Sequence, residues 1–257
     1  MGMLKNKIAF VTGATAGIGE ACALDLARER ADLILCGRRI EVLEKLAEKI
    51  KNEFSVKVYF FQLDVRDKNA VNNIIDSFPE EWKKIDILVN NAGLARGFSK
   101  LDSGNIEDWE EMIDTNVKGL LYVTRKVLPL MAIRNQGHVI NIGSVAGHEV
   151  YPNGNVYCAT KFAVDALSKG IRLDMLDKKI KVTTISPGLV ETEFSEVRFS
   201  GDKDRAKQVY KGFQPLVAGD ISNLVLFAAT RPQHVNINEI VVTPTAQGSS
   251  TMVYREE

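Results

Sequence analysis

The chain has 257 residues, 45% of them hydrophobic, with 33 basic side chains against 33 acidic ones and no formal net charge. That length is enough to bury one sizeable core, and the charge balance speaks against nucleic acid or an anionic membrane surface as a partner. No apolar run approaches the roughly 20 residues that cross a bilayer and the N-terminus has no signal-peptide core, so no membrane is expected and a cytoplasmic protein is.

Residues 7–12 (KIAFVT) read as a short buried strand, followed directly by Gly13, Thr15, Ala16, Gly17, Ile18 and Gly19 and then by helical periodicity over 17–30. A strand, a glycine-rich turn and a helix form the context in which such glycines mean a nucleotide site. Glycine lets the backbone turn tightly against a pyrophosphate whose charge is met by the helix N-terminus. The spacing here is Gly-x-x-x-Gly-x-Gly.

A second strand over 32–36 runs into Arg38 and Arg39, with no acid between Leu33 and Ile40. A site for NAD places an Asp or Glu about 20 residues after the glycines, against the ribose 2′-hydroxyl. Two guanidiniums at that point suit a 2′-phosphate instead, which predicts NADP(H). A positive pair at a helix start is mildly unfavourable against the dipole, and a bound anion resolves that conflict.

Helices are expected at 40–53 and 67–77 around a strand at 56–63, and the strand at 85–89 ends in Asn90, Asn91, Ala92 and Gly93. One long helix is expected over 105–134. A strand over 137–142 then delivers Ser144 at its carboxyl end, and a helix over 155–177 opens with Tyr157 and Lys161 one turn apart. A lysine ammonium beside a phenol favours the phenolate and so lowers the tyrosine pKa towards working pH, which makes a proton donor and acceptor. Ligands bind outside the carboxyl ends of parallel strands, so Gly13, Asn91, Ser144 and Tyr157 converge on one crevice.

Strands at 180–186 and 239–243 and a helix at 220–229 complete an alternating pattern. It predicts a single-domain, doubly wound α/β fold of Rossmann type, with a mainly parallel sheet and helices on both faces. Residues 188–219 lack periodicity, and loops this long often serve as mobile lids over a site. The polar tail, 245–257, is expected to be ordered by a neighbouring subunit. Cys22, Cys36 and Cys158 read as reduced, buried residues of a reducing compartment, and three scattered histidines predict no metal site.

Taken together, TGATAGIG, NNAG, Ser144 and Tyr157-x-x-x-Lys161 resemble the short-chain dehydrogenase/reductase family over essentially the whole chain. The resemblance implies a nicotinamide cofactor and a homo-oligomer, commonly a tetramer. It makes Tyr157 the general acid/base and gives Lys161 the phenol and the nicotinamide ribose to hold. Ser144 would bond the substrate oxygen, and Asn116 would hold a water in the proton relay. Asp64 and Val65 would flank the adenine. The nicotinamide carboxamide would meet the run from Pro187 and Gly188 through Val190 to Thr192.

The motifs around Gly147–Glu149, Tyr151–Lys161, Val190–Phe194 and Val197–Phe199 are similar to the branch of that family that oxidises serine, allo-threonine or 3-hydroxyisobutyrate with NADP. A small carboxylate substrate needs a cation, for which Arg198 is the candidate, and Glu149 is the candidate for an amino group. The chain departs from the branch at Val217–Asp220, where a proline-and-acid helix start is expected. A reductase for an oxoacyl thioester, a sugar or a steroid is the alternative on the same machinery, and a non-enzymatic dinucleotide sensor is a further one. An esterase is disfavoured because Gly143–Gly147 lacks the Gly-x-Ser-x-Gly spacing.

Overall fold

The computed structural model describes residues 2–256. Strands β1 (Ile8–Thr12), β2 (Asp32–Gly37), β3 (Val58–Gln62), β4 (Ile87–Asn90), β5 (Gly137–Ile142), β6 (Ile180–Pro187) and β9 (Glu239–Val242) form one sheet in the order β3-β2-β1-β4-β5-β6-β9. Each neighbouring pair is parallel. The chain order reverses between β1 and β4, which opens a crevice at their carboxyl ends.

Side chains alternate across this sheet, as the two-residue period of a strand requires. Ala9, Val11, Leu33, Leu35, Ile87 and Val89 face α1 (Gly17–Arg28), α2 (Ile40–Phe54) and α9 (Ala218–Ala229). Phe10, Ile34, Leu88 and Val139 face the other way, onto α3 (Lys68–Asp76) and α5 (Leu120–Ala132). Helices therefore cover both faces, as expected for the doubly wound class. Phe10, Leu26, Leu33 and Leu35 are among the largest fully buried side chains, and each contributes roughly 1.5–3 kcal/mol by leaving water.

Three expectations need correction. The helix expected over 105–134 is broken: α4 (Ile106–Ile113) passes through a π-helical turn at Asp114–Gly119 into α5. Gly119 sits in that turn because a Cβ there would fall 2.6 Å from Val65 Cγ2. The segment 188–219 is structured, with short parallel strands β7 (Val190–Glu191) and β8 (Leu216–Val217) enclosing α7 (Phe194–Arg198) and α8 (Lys203–Gln208). Its return to the body is fixed at Val217–Asp220. The Asp220 carboxylate accepts the Val217 N–H at 2.8 Å and so caps α9.

The tail is the third correction, because its own chain orders it. Gln247 is buried and its Oε1 accepts the Leu189 N–H at 2.9 Å, while Glu256 N–H bonds Gly212 O at 2.7 Å. An antiparallel bridge between Gln247 and Val253 folds the tail back across the 190–217 arm.

Candidate active site

The carboxyl ends of β1, β4, β5 and β6 floor a cavity of about 800 Å³, and the 190–217 arm and the tail roof it. Its first wall is the glycine turn. Gly13 and Gly17 adopt left-handed φ of +64° and +52°, which glycine accepts without strain. Gly19 is required by contact, since a Cβ would fall 2.3 Å from Gly13 O and 2.4 Å from Asn91 Nδ2. Helix α1 starts here with no side-chain cap among the described residues, leaving its N–H groups for an anion.

Asn91 ties β4 to this turn. Its Nδ2 donates to Thr12 O and Gly13 O at 3.0 and 3.1 Å, and Thr12 Oγ1 accepts the Asn91 and Ala92 N–H groups at 3.1 Å. Deeper in the sheet, Asn90 Nδ2 bonds Thr124 and Asn141, and Asn141 bonds Ser168. These buried, linked amides fix the strand ends, although Asn90 Oδ1 finds no partner among the described residues.

Ser144 Oγ accepts the Ala146 N–H at 3.1 Å and lies 3.5 Å from Pro187 O. Tyr157 and Lys161 line the cavity beside it, as do Gly93, Pro187, Gly188, Val190 and Thr192. Burial pushes the Tyr157 phenol up from its ordinary value, helped by Tyr151, while the Ser144 hydroxyl and the Arg198 charge pull it down. The direction is opposite to the lowering expected from Lys161. The Lys161 ammonium donates instead to Ile142 O at 2.9 Å and stands 5.9 Å from the Tyr157 ring centre. Burial lowers its own pKa to about 8.

Asn116 is buried in the π-turn, and its side-chain amide is engaged by neighbouring groups. Its Oδ1 accepts Leu94 N–H at 2.8 Å, and its Nδ2 donates to Leu94 O and Thr160 Oγ1 at 2.8 and 3.0 Å. The side chain clasps the stretch after Gly93 to the Tyr157 helix, α6 (Asn155–Asp174).

At the far end of the cavity stand Arg38, Arg39, Asp64 and Val65. Arg39 is engaged, with Nη2 donating to Thr15 O at 2.9 Å and lying 3.1 Å from Glu193 Oε2 on the arm. Arg38 is the freer of the two, its side chain 54% exposed and 3.7 Å from Glu111. Burial favours protonation of Asp64, but hydrogen bonds and charge from Arg66 outweigh it and hold the carboxyl below its usual range.

Arg198 lies at the opposite end, among three aromatic rings. Its guanidinium carbon is 4.9, 5.5 and 5.7 Å from the ring centres of Phe98, Tyr151 and Tyr157. Nη1 donates to Tyr151 Oη at 3.0 Å, while Nε finds no partner among the described residues. Glu149 is not at the cavity: it is exposed, and its carboxylate accepts the Ser250 N–H of the tail at 2.8 Å. That bond lowers its pKa, and the proposed contact with a substrate amine is withdrawn.

Phe98, Thr115, Tyr151, Gln247 and Ser250 line the cavity as well and carried no site expectation. Tyr151 alone had a signal, as an aromatic six residues before Tyr157 in the run that carries the resemblance. The tail residues had none, since only folding back brings them close.

The residues present fit a dinucleotide. A left-handed glycine turn, an uncapped helix start and the half-exposed Arg38 guanidinium suit phosphate groups, and the cavity joins them to Ser144 and Tyr157. Among the described residues no cluster of three metal-ligating side chains occurs.

The family model of short chain dehydrogenases matches residues 7–203. The chain is similar to an NADP-dependent 3-hydroxy acid dehydrogenase of Schizosaccharomyces pombe, 42% identical over the full length of both chains. An NADP-dependent 3-hydroxy acid dehydrogenase of Escherichia coli K12 is 48% identical over 93% of this chain and 96% of its own. Among solved structures, the closed form of a serine dehydrogenase complexed with NADP+ superposes with a TM-score of 0.90. It is 46% identical and covers 97% of this chain and 100% of its own.

Proposed function

The chain belongs to the short-chain dehydrogenase family, and from that premise we propose that it is an NADP-dependent oxidoreductase acting on a small 3-hydroxy acid such as serine, allo-threonine or 3-hydroxyisobutyrate. The nicotinamide supplies the hydride chemistry when bound. Gly13, Gly17, Ile18 and the α1 start would hold the pyrophosphate, Arg38 and Arg39 the 2′-phosphate, and Asp64 and Val65 the adenine. Asn91, Ala92, Gly93 and Lys161 would meet the nicotinamide ribose. Val190 and Thr192 would meet the carboxamide.

Tyr157 takes the proton of the hydroxyl being oxidised, or returns it to the carbonyl being reduced. The Ser144 O–H donates to the same oxygen, so charge building there is met by a preset dipole. Arg198 binds the carboxylate and, as a fixed cation beside Tyr157, also favours the phenolate. The observation that carries this reading is the Arg198 guanidinium, 5.7 Å from the Tyr157 ring with an unpartnered Nε. A neutral ketone gives such a cation nothing to bind. The test is turnover of 3-hydroxyisobutyrate against its methyl ester, followed by NADPH absorbance. The acid is expected to be preferred by at least ~10-fold in kcat/KM, the effect of one charge-assisted hydrogen bond. Equal turnover of the ester defeats the assignment.

The arm over 190–217 is proposed to move as the pocket fills. A homo-oligomer, a tetramer by family likeness, is supported by exposed Leu121 on α5 and by Phe162 and Leu173 on α6. Three buried free cysteines favour a reducing compartment such as the cytoplasm. Among the described residues no helix is long and apolar enough to cross a membrane.

A further inference from the structure

One carboxylate on α4 stands between the two ends of the cavity. Glu111 Oε1 accepts from Arg66 Nη1 at 3.1 Å and lies 3.7 Å from Arg38 Nη1, while its Oε2 accepts from Arg96 Nε at 2.8 Å. Arg66 is shared with Asp64, and the neighbouring Asp114 is paired with Lys118. Three guanidiniums therefore divide two carboxylates, and one unit of positive charge is left for an anion. Arg38 is the member with the longest contact and the most exposed side chain, so it is the one an anion draws away.

Arg96 continues the chain of contacts to the other end. Its Nη1 donates to Val197 O at 2.9 Å, and the next residue, Gly97, donates its N–H to Arg198 O at 3.1 Å. Both acceptors are carbonyls at the C-terminal end of the five-residue helix α7, whose partial negative charge suits the Arg96 guanidinium. The Arg198 backbone is thus held by residues 96 and 97, and Arg96 is aimed by Glu111.

We infer that Glu111 is a positioning residue that couples the cofactor's 2′-phosphate to the grip of Arg198 on the substrate carboxylate. A phosphate on Arg38 withdraws that guanidinium from Glu111. The carboxylate is then shared between Arg66 and Arg96 alone, and its bond to Arg96 strengthens. Arg96 in turn seats Val197 and Arg198. The 2′-phosphate thereby improves binding of the hydroxy acid, and by linkage the hydroxy acid improves binding of the phosphorylated cofactor by the same factor. A cofactor without the phosphate leaves Arg38 on Glu111 and gains nothing from this route. The inference rests on the proposed roles of Arg38 and Arg198.

The experiment measures KM and kcat for 3-hydroxyisobutyrate at saturating NADP+ and at saturating NAD+. In the unmodified protein the KM is expected to be about 5-fold lower with NADP+, at the lower end of common coupling factors. Glu111→Gln and Arg96→Lys should bring the two KM values together, mainly by raising the NADP+ value, with kcat changed less. Thermal unfolding midpoints show that each variant is folded, and the extra rise that 3-hydroxyisobutyrate gives the NADPH-loaded protein over the NADH-loaded one should disappear in both; if one variant is not folded, the other decides. Equal KM values in the unmodified protein, or a ratio unaltered in a folded variant, overturn the inference. Arg198→Met separates the premise from it: an unchanged KM there defeats the carboxylate role itself, whereas a raised KM beside an unaltered Glu111→Gln ratio defeats the coupling alone.

Discussion

At the carboxyl edge of the sheet, Asn90, Asn91, Asn116 and Asn141 spend their amides on neighbouring backbone and hydroxyl groups. Across the cavity, the arm and the residues it meets are joined by charge: Arg39 with Glu193, Arg96 with Glu111, and Arg198 against three aromatic rings. Apart from the Lys161 ammonium the floor is uncharged, and it is buried and hydrogen-bonded, so it holds Ser144 and Tyr157 at one geometry whatever fills the pocket. The roof is made of partly exposed ion pairs, each worth little by itself and each able to trade its partner for an anion. Chemistry and choice of ligand thus reside on different kinds of bond.

The sharpest test of the floor is Tyr157→Phe, which removes the proton donor and keeps the ring packed on Phe194. Turnover should fall by ~10²–10⁴-fold, with NADPH affinity retained in a fluorescence titration. A variant that still turns over would move the chemistry elsewhere. For the roof, Arg198→Met should raise the KM for a 3-hydroxy acid by ~10–100-fold, the loss expected for a charge-assisted hydrogen bond. The same change removes a cation that pulls the phenol down, so the rising limb of the pH profile for alcohol oxidation should move to higher pH. An unmoved profile would leave Arg198 with binding alone.

The floor's burial has a signature in stability. Lys161 titrates near 8 in the folded protein against its usual 10.5. Between those values the unfolded chain holds more protons, so Lys161 makes stability rise with pH across that window and adds nothing further above it. Its contribution to the slope is at most about 1.4 kcal/mol per pH unit, the value for one proton. Denaturant titrations of Lys161→Met against the unmodified protein should show the difference in slope from pH 8 to 10.5. Parallel curves would mean that the ammonium is solvated in the folded state.

The floor was legible in the sequence, and the roof only partly so. Strand, turn and helix signals place Gly13, Asn91, Ser144 and Tyr157 at strand ends, because a parallel sheet brings consecutive carboxyl ends to one edge. Arg38 and Arg39 were legible by what is missing, an acid at the end of β2. The π-turn at 114–119 escaped because its hydrophobic period is that of an ordinary helix and only the backbone bonding differs. The commitment of Asn116 to Leu94 and Thr160, the exposure of Glu149 and the return of the tail are long-range facts with no local pattern. Arg198 was picked out for its charge alone, while its three rings come from residues 98, 151 and 157 and meet only in the fold.

The smallest expected effect probes the weakest bond of the roof. Glu193 Oε2 lies 3.1 Å from Arg39 Nη2, with the two side chains 57% and 46% exposed. A pair this open contributes at most about 1 kcal/mol, but it occupies the guanidinium that a 2′-phosphate needs. In the proposed cofactor placement NADPH competes with Glu193 for this guanidinium, whereas NADH leaves the pair in place. Glu193→Gln removes the competitor and keeps the size of the side chain, so the Kd for NADPH should fall ~2–5-fold while that for NADH stays fixed. Equal shifts for both cofactors would assign Glu193 to the placement of the arm and not to the phosphate. No shift for either would mean that Arg39 already reaches the phosphate with Glu193 attached, and the roof would then be as fixed as the floor.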